Sequence, residues 1–368
     1  MLYALLFSAG AALSLLFLSI ILKVFPRFGL MDRPEKYGLT RAAVPYPAGV
    51  AIWLAFALLA LPWVLWSEPL YLKEILGVIL GGTILCGVSA YDDRFHVSPW
   101  IRLSIQILVG VLVVASGIGI ETITSPFGGV LDLQLWQIPL TIQGVTYHLT
   151  PLADLFTILW LCFVINAINF HDGIPGLVTG VGSIAALTLF LLSLFLIDSP
   201  LTTALEKADA QTIAGLAAGL FGILLVANRF DFLPSKVIIG DAGAMSIGYI
   251  IAILAIFAGG KVATSIIVLA LPLLDMVWVA LRRISQGRSP ISADHNHYHH
   301  KLLRLGLSEK QTCLLIYSVT AILGATSLFL LFSFRSTGKY IALGLVLLLI
   351  FGTSMALIRK ETKEARGF

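Results

Sequence analysis

Charged residues are scarce in this chain of 368 residues. Asp, Glu, Lys and Arg make up 12% of the sequence, whereas 58% of the residues are hydrophobic and the mean hydropathy is +0.96. A soluble domain of this length needs more polar residues to cover its surface, because its apolar fraction is close to half. The composition therefore excludes an ordinary soluble protein and predicts an integral membrane protein.

The sequence also lacks a cysteine framework and a cleavable signal. Cys86, Cys162 and Cys313 lie within or at the ends of apolar segments and have neither disulfide nor metal-ligand spacing. No cation precedes the apolar run 2–22, and Lys23 follows it. We therefore expect that run to be a membrane helix.

Long apolar runs occupy most of the chain. Many reach about 18–22 residues, which is enough for a helix to cross ~30 Å of hydrocarbon. Since no linker or internal repeat marks a second domain, we predict one domain over residues 1–368, an all-α integral membrane bundle with a small external β-hairpin. The eleven predicted helices span 2–22, 46–66, 72–90, 103–120, 152–170, 174–197, 211–228, 240–258, 262–281, 312–334 and 339–358.

The loop 121–150 contains no Lys or Arg and alternates weakly between apolar and polar residues. This pattern predicts the β-hairpin, with Gly144 at its turn. We expect His148 to be a surface residue of the hairpin and not a ligand.

The distribution of Lys and Arg predicts the orientation in the membrane. With the N-terminus outside, one set of alternate loops and the C-terminal tail hold 19 of the 24 Lys and Arg residues. Cytoplasmic loops carry such an excess. We therefore place the C-terminus in the cytoplasm, and the outside loops hold Lys73, Lys207, Lys261, Arg335 and Lys339.

Four short clusters contain acidic, asparagine or histidine residues, each at the cytoplasmic end of a predicted helix. Their gathering at one membrane face indicates a metal-assisted active site. The clusters are Tyr91-Asp92-Asp93-Arg94, Asn166-Ala167-Ile168-Asn169-Phe170-His171-Asp172-Gly173, Gly240-Asp241-Ala242-Gly243 and Asp294-His295-Asn296-His297-Tyr298-His299-His300.

In the first cluster, Asp92 and Asp93 are neighbours on a helix and point about 100° apart, so they cannot address one small target equally. We expect one to be a metal ligand or base and the other to orient a partner, and which does which stays open. An ordinary solvated helix end is the alternative.

The second cluster contains a turn that suits a phosphate ligand, and the third places Asp241 at the start of the eighth helix. Asn166 and Asn169 are one turn apart, so we expect them to share a helix face. Asp172 and Gly173 begin a turn into the sixth helix, whose N-terminus favours an anion. The alternatives are an ordinary connector in this turn and, for Asp241, a helix N-cap.

The fourth cluster follows Arg282 and Arg283, and we interpret its histidines first as phosphate contacts. The carboxylates elsewhere are hard oxygen ligands, which favour Mg²⁺ over zinc. Asp275, inside the ninth helix, needs a partner in lipid. Two interpretations stay open for it, a place in the site or a pairing with Arg282 or Arg283.

Taken in order, these clusters resemble those of the polyprenyl-phosphate N-acetylhexosamine-1-phosphate transferases, glycosyltransferase family 4. The likeness covers nearly the whole chain, including Asp32-Arg33-Pro34 and Pro45-Tyr46-Pro47. The family includes the bacterial phospho-MurNAc-pentapeptide translocase and GlcNAc-1-phosphate transferases. The form His297-x-His299-His300 is more similar to the GlcNAc-1-phosphate branch.

The resemblance implies a plasma-membrane enzyme that transfers a sugar-1-phosphate, with GlcNAc-1-phosphate expected first, from a UDP-sugar donor to a polyprenyl (undecaprenyl) phosphate acceptor. UMP would be released at the cytoplasmic face. Phospho-MurNAc-pentapeptide transfer is the alternative within the family, and a membrane transporter is the alternative of another class. The partners are the two substrates and the lipid bilayer, with no nucleic acid, and a homodimer stays open.

The resemblance also implies roles for individual residues. Mg²⁺, with Mn²⁺ as an alternative, is expected on Asp241 together with Asp92 and Asp93. The residues expected to be catalytic are Asp92, Asp93, Asp241, His297, His299 and His300. The residues expected to bind substrate are Asn166, Asn169, Asp172, Gly173, Arg94, Arg282 and Arg283.

Two departures from the family pattern bear on the substrates. Pro175 stands where the family usually has a second Asp, in a turn associated with nucleotide recognition, so uridine recognition is expected to weaken or to move to neighbours. Trp100 stands where the family often has Lys, and Arg102 is the candidate substitute.

The orientation can be tested by single cysteines introduced at 125–145 and at 285–295 in a cysteine-free background. The first set should react with an impermeant thiol reagent added to whole cells, and the second only after the membrane is opened. Labelling of both sets from the same side would contradict the orientation.

Overall fold

The structure, a computed structural model, consists of long helices joined by short segments. It describes residues 1–37, 41–68, 71–124, 130–142, 145–200, 202–257, 262–287, 289, 297–333, 344 and 352. The helices in these ranges are α1 (Leu2–Val24), α2 (Val50–Ser67), α3 (Leu72–Phe95), α4 (Pro99–Ala115), α5 (Pro151–Phe170), α6 (Leu177–Asp198), α7 (Ala204–Asp231), α8 (Gly240–Phe257), α9 (Val262–Val268), α10 (Ala270–Ser285), α11 (Tyr298–Arg304) and α12 (Glu309–Ser333).

This architecture confirms the prediction of an all-α membrane bundle. Within the described ranges, α1, α2, α3, α5, α6, α7, α8 and α12 are long and apolar enough to cross a membrane, and α4 is a shorter apolar helix. Apart from 262–281, the predicted segments up to 312–334 coincide with helices, and their ends differ by up to seven residues. The eleventh segment, 339–358, lies outside the described residues apart from Gly344 and Gly352.

The ninth predicted helix, 262–281, is wrong as a single element because it is divided into α9 and α10. Pro272 lies four residues beyond Val268, the last residue of α9. Proline has no backbone N–H, and its ring clashes with the carbonyl four residues earlier. The break at Leu269 is therefore where a proline at 272 disrupts a continuous helix.

The loop between α4 and α5 forms two antiparallel hairpins where one was predicted. Strands β1 (Thr122–Thr124) and β2 (Val130–Asp132) make the first pair, and β3 (Ile138–Ile142) and β4 (Val145–Leu149) make the second. Ile142 lies opposite Val145 in the second pair, and the predicted turn at Gly144 lies outside the described residues. His148 is in β4, and its side chain lies outside the described part of the chain.

Several helices begin where the sequence supplies a start signal. Pro99 and Pro151 occupy the first positions of α4 and α5, where a missing N–H leaves no helical hydrogen bond unmade. At the start of α7, the Thr203 hydroxyl accepts from the Glu206 N–H while the Glu206 carboxylate accepts from the Thr203 N–H. This capping box satisfies two donors that the helix itself cannot pair.

Helix α8 is the centre of the bundle and carries the site residue Asp241 near its N-terminus. It is buried along almost its whole length and packs against α2, α3, α5 and α6. Close contacts through glycine bring these helices together: a Cβ at Gly49 would lie 2.1 Å from the Gly243 Cα. The tight packing leaves little freedom for α8 to shift along its axis.

A pair of glycines on α3 allows this packing to be tested. A Cβ at Gly82 would lie 2.0 Å from the buried Trp53 ring, whereas a Cβ at Gly87 would have no atom within 4 Å. We expect Gly82→Ala to lower the free energy of unfolding by about 1–3 kcal/mol through overpacking. Gly87→Ala should be neutral or slightly stabilising, because alanine favours helix.

Thermal unfolding of the two variants in the same detergent measures this difference. Equal midpoints for Gly82→Ala and Gly87→Ala would contradict the close packing of α3 against Trp53.

Candidate active site

Polar residues that are far apart in sequence meet at one end of the bundle. The Asn169 amide on α5 donates to Asp241 on α8 at 2.9 Å, and Asp93 on α3 accepts from the backbone of α8. The rings of His171 and His299 lie 5.6 Å apart between centroids. Described residues of all four predicted clusters therefore lie together, as the sequence predicted. Asp294, His295 and Asn296 are outside the described residues.

Among the described residues, buried carboxylate and histidine side chains occur at this end of the bundle alone. The rest of the buried interior in those ranges is apolar or carries hydroxyl and amide groups. These buried carboxylate and histidine side chains are thus confined to one end of the bundle. They are Asp92, His171, Asp231, Asp275, His297 and His299.

Asp93 caps the N-terminus of α8. Its carboxylate accepts from the backbone N–H groups of Asp241 at 2.8 Å and Ala242 at 3.1 Å, and from the Tyr46 hydroxyl at 2.6 Å. Gly240 makes the approach feasible, because its φ is +67° and a Cβ there would lie 2.7 Å from an Asp93 oxygen. Asp93 therefore orients a partner, which is one of the two roles expected for the Asp92–Asp93 pair.

Asp241 is the second residue of α8, and its carboxylate is not the cap. One oxygen accepts from Asn169, and the other accepts from the Arg102 guanidinium at 2.7 Å. The N-cap alternative for Asp241 is therefore wrong, since Asp93 fills that role. The Asp241 carboxylate instead contacts Arg102 on α4 and Asn169 on α5.

Asp92 is buried and shares Arg102 with Asp241. One oxygen of Asp92 accepts from the same guanidinium nitrogen, Nη1, at 2.9 Å, and the other accepts from the Val97 N–H just beyond α3. Asp92 and Asp93 therefore face different partners, as their 100° separation requires. Two carboxylates from different helices, Asp92 and Asp241, converge on one cationic nitrogen.

The two asparagines of α5 do not act on one target, although they are one turn apart. The Asn166 amide donates to Gln106 and to the Cys162 carbonyl at 2.7 Å, and Gln106 donates back to Asn166 at 3.3 Å. Asn166 therefore links α5 to α4, whereas Asn169 reaches Asp241. Substrate binding by Asn166 and Asn169 stays a prediction, and only Asn169 contacts a carboxylate of the site.

The turn 171–176 is held to α7 by Asp231. Its carboxylate accepts from the Gly176 N–H at 2.9 Å and from the Thr179 hydroxyl at 3.0 Å. Asp172, in the same turn, is surrounded by acids. Burial raises the pKa of Asp172 well above its usual range, and the carboxylates of Asp231, Asp241 and Asp93 raise it further.

The histidine segment is fixed by Asp275. This buried carboxylate accepts from the Tyr298 N–H at the start of α11 and is 2.9 Å from Nδ1 of His297. Asp275 therefore contacts the histidine segment, which agrees with a place in the site, the first of the two interpretations left open for it. The contact brings α10 and α11 together beside the other clusters.

His299 and His171 are buried and neutral. Burial lowers the pKa of His171 to about 4, with His297 lowering it further and Asp275 opposing the shift. Burial also lowers the pKa of His299 well below its usual range, as do His171, His300 and His297. As phosphate contacts, they would act as N–H donors and not as cations.

Both ring nitrogens of His299 are buried and have no hydrogen-bond partner among the described residues, and the same holds for Nε2 of His171. A Cβ at Gly173 would lie 2.0 Å from Nε2 of His299, so only glycine fits there. The sequence had attributed Gly173 to ligand approach, and in the structure its neighbour is the His299 ring.

The remaining predicted residues lie nearer the surface. Arg94 is exposed, with its guanidinium 5.8 Å from the centre of the Phe95 ring. Arg282 and Arg283 occupy the last turn of α10, and His300 packs 4.2 Å from His299 between ring centroids. The structure does not bring Arg94 into contact with the carboxylates.

Asp92 and Asp241 are suited to hold a divalent cation. Both present an oxygen to the same point, where Arg102 Nη1 now lies at 2.9 and 2.7 Å. Mg²⁺ is commonly held by one or two carboxylates with water and substrate phosphates completing its shell. Within the described ranges, no group of three Asp, Glu, His or Cys residues forms a closed metal site.

Sequence reasoning missed two residues of this site. Tyr46 donates to Asp93, and Asp231 holds the 171–176 turn. Tyr46 lies within the Pro45-Tyr46-Pro47 segment, which signalled only a family likeness. For Asp231, an acid at the end of a membrane helix was the available signal.

Comparison with known proteins gives a family match. The family model described as glycosyl transferase family 4 matches residues 75–259, which is half of the chain. This range runs from α3 to α8 and includes the Asp92–Asp93 pair, the 171–176 turn and Asp241. The histidine segment lies beyond it.

Named relatives align over most of the chain. The probable undecaprenyl-phosphate N-acetylglucosaminyl 1-phosphate transferase of Bacillus subtilis is 26% identical, covering 90% of this chain and 84% of the relative. The undecaprenyl-phosphate alpha-N-acetylglucosaminyl 1-phosphate transferase of Escherichia coli O157:H7 is 29% identical, covering 95% and 89%. A decaprenyl-phosphate N-acetylglucosaminephosphotransferase of Mycobacterium leprae is 27% identical, covering 79% and 73%.

The low pKa of His171 predicts how stability depends on pH. An unfolded histidine has a pKa of 6.5, whereas the folded value is about 4. Between these values the unfolded state binds more protons, so the contribution of His171 is fully present above pH 6.5 and is lost as the pH falls toward 4. At pH 5 the loss should be about 2 kcal/mol.

His171→Gln, which cannot titrate in this range, should remove that part of the pH dependence. The measurement is the thermal midpoint in detergent at pH 7.5 and pH 5 for both proteins. Equal decreases in wild type and variant would contradict a buried, neutral His171.

Proposed function

This chain belongs to glycosyl transferase family 4, and on that premise we propose that it transfers GlcNAc-1-phosphate from UDP-GlcNAc to undecaprenyl phosphate. The names of the relatives from Bacillus subtilis and Escherichia coli, which align over most of the chain, support this substrate pair. The reaction would be the first membrane step of a cell-envelope glycan.

The observation that carries the proposal is the convergence of Asp92 and Asp241 at one end of an apolar bundle. A lipid phosphate can reach this end from the bilayer, while a nucleotide sugar can reach it from water. Oxygen ligands at the boundary suit a reaction between two phosphate groups. We place this end at the cytoplasmic face because of the Lys and Arg distribution.

We propose that Asp241 and Asp92 hold Mg²⁺, for which Mn²⁺ can substitute. The ion would neutralise negative charge on the donor pyrophosphate. Asp93 is occupied by two backbone N–H groups and Tyr46, so its contribution is to fix the direction of Asp241. Asn169 orients the same carboxylate from the other side.

The bond changes follow from the substrates. A phosphate oxygen of the lipid forms a bond to the sugar-linked phosphorus of the donor. The bond from that phosphorus to the bridging oxygen breaks, and UMP leaves with the electron pair. Such transfers depend on positioning and charge neutralisation more than on covalent help from the protein.

We propose that the neutral histidines help to position the donor. Among the described residues, two ring nitrogens of His299 and one of His171 are buried without a hydrogen-bond partner. A neutral imidazole N–H can donate to a phosphate or sugar oxygen without bringing a net charge. His297 orients this group through Asp275, and His300 packs against His299.

A membrane transporter is the alternative of another class, and the distribution of buried charge argues against it. A cation pathway needs polar sites near the middle of the membrane. In the described residues, the buried acids and histidines lie at one end, and α8 is apolar beyond its first turns.

The decisive experiment is a transfer assay with purified protein, undecaprenyl phosphate and radiolabelled UDP-GlcNAc, with and without Mg²⁺. Formation of a lipid-linked product and UMP is expected only with the metal. A parallel reaction with UDP-MurNAc-pentapeptide tests the alternative within the family. Uptake into vesicles without transfer would favour the transporter.

Asp241→Asn tests the role of Asp241 in this reaction. Asparagine keeps the size and most hydrogen bonds but removes the charge, so turnover should fall by at least about 10²-fold. Asp198→Asn, an exposed acid at the opposite end of the bundle, is the matched control and should keep its rate.

Correct insertion of Asp241→Asn is checked by its thermal midpoint. A folded Asp241→Asn protein with turnover close to wild type would contradict the proposed metal ligand.

A further inference from the structure

The position that a metal would take between Asp92 and Asp241 contains a protein cation. Nη1 of Arg102 lies 2.9 Å from Oδ2 of Asp92 and 2.7 Å from Oδ2 of Asp241. A single nitrogen makes both contacts, so one positive charge links α3 and α8 through α4. The Arg102 side chain is 26% exposed, whereas Asp92 is 6% exposed.

We propose that Arg102 is a displaceable counter-ion for this pair of carboxylates. A divalent cation that binds Asp92 and Asp241 replaces Nη1, and the released guanidinium turns toward a donor phosphate. Arg102 is thus a positioning residue that holds the carboxylates together before the metal arrives. This inference rests on the proposed function, since it needs a metal and a phosphate substrate.

Charge repulsion prevents the Arg102 guanidinium and a divalent cation from binding Asp92 and Asp241 at the same time. A guanidinium and a divalent cation cannot both lie within 3 Å of the same two oxygens, because like charges at that distance repel strongly. Without either cation, Asp92 would be a buried, uncompensated charge beside a second carboxylate, which is costly. The site therefore always holds one cation, and binding of the metal is an exchange.

The geometry makes Arg102 the group that leaves. Asp93 is held by backbone N–H groups that cannot move without unwinding α8. Arg102 is attached through a flexible stem near the start of α4 and is partly open to solvent. Its fork of N–H donors matches a phosphate once it is free of the carboxylates.

A fixed structural salt bridge is the competing explanation, and metal binding without any substrate separates the two. Mn²⁺ affinity is measured by electron paramagnetic resonance on donor-free protein in detergent, for wild type and Arg102→Gln. Exchange predicts that Arg102→Gln binds Mn²⁺ about tenfold more tightly, because a competing cation has been removed. Arg229→Gln is the matched control, because Arg229 is an exposed arginine in the last turn of α7. Its Mn²⁺ affinity should equal that of wild type.

An unchanged or weaker Mn²⁺ affinity in folded Arg102→Gln would overturn the proposal. The Mn²⁺ affinity of Asp241→Asn distinguishes a failure of the exchange from a failure of the proposed function. If Mn²⁺ binds wild type but not Asp241→Asn, the metal site stands and only the exchange is lost. If wild type binds no divalent cation, both the exchange and the metal role fall.

A second measurement uses wild-type protein, so it does not depend on the folding of a variant. Phenylglyoxal modifies accessible guanidinium groups, and mass spectrometry identifies the modified arginines. Replacing NaCl by MgCl₂ at equal ionic strength should speed modification of Arg102 by at least about threefold, since its ion pairs are released. Arg229 should react at the same rate in both salts, and an equal rate for Arg102 would overturn the exchange.

Discussion

The site depends on how the buried N-terminus of α8 is satisfied. The first N–H groups of a helix have no partner within it, and leaving them unpaired in an apolar bundle is costly. Asp93 accepts from two of them and is itself held by Tyr46. Because this cap fixes the first turn of α8, it also fixes Asp241, which lies one residue inside the helix. Glycine at position 240 leaves room for the Asp93 carboxylate. The next residue, Asp241, directs its own carboxylate toward Asn169 and Arg102.

Negative charge is the problem that the rest of the site resolves. Asp92 and Asp241 share the Arg102 guanidinium, and Asp93 accepts from the backbone of Asp241 beside them. Helix N–H groups compensate Asp93, and Arg102 compensates the other two. The proposed substrates bring further phosphate charge, while the buried His171 and His299 are neutral. Arg102 is therefore the cation that compensates Asp92 and Asp241, which makes its relation to a bound divalent cation central to the proposed chemistry.

Hydropathy and charge were sufficient for the helices and for the meeting of the clusters at one face, because segment length and loop charge are local properties of a sequence. The pairings inside the site are not local. Asp93 contacts α8 across 148 residues, and Asn166 turns to Gln106 across 60. Each depends on how a helix is rotated about its axis, and a nearly uniform apolar helix gives no periodicity from which to read that rotation. Proline 272 was visible in the sequence, but its effect on 262–281 depended on whether neighbouring helices would tolerate a kink.

The turn 171–176 illustrates how distant residues define its chemistry. Pro175 supplies no side-chain acceptor and no N–H, so the turn is held instead by Asp231 from α7. That carboxylate, together with burial, raises the pKa of Asp172. A carboxyl whose pKa is raised is more readily protonated, and it can then donate through its O–H as well as accept. The pKa of Asp172 therefore depends on its burial and on Asp231, a residue of another helix that does not belong to the turn.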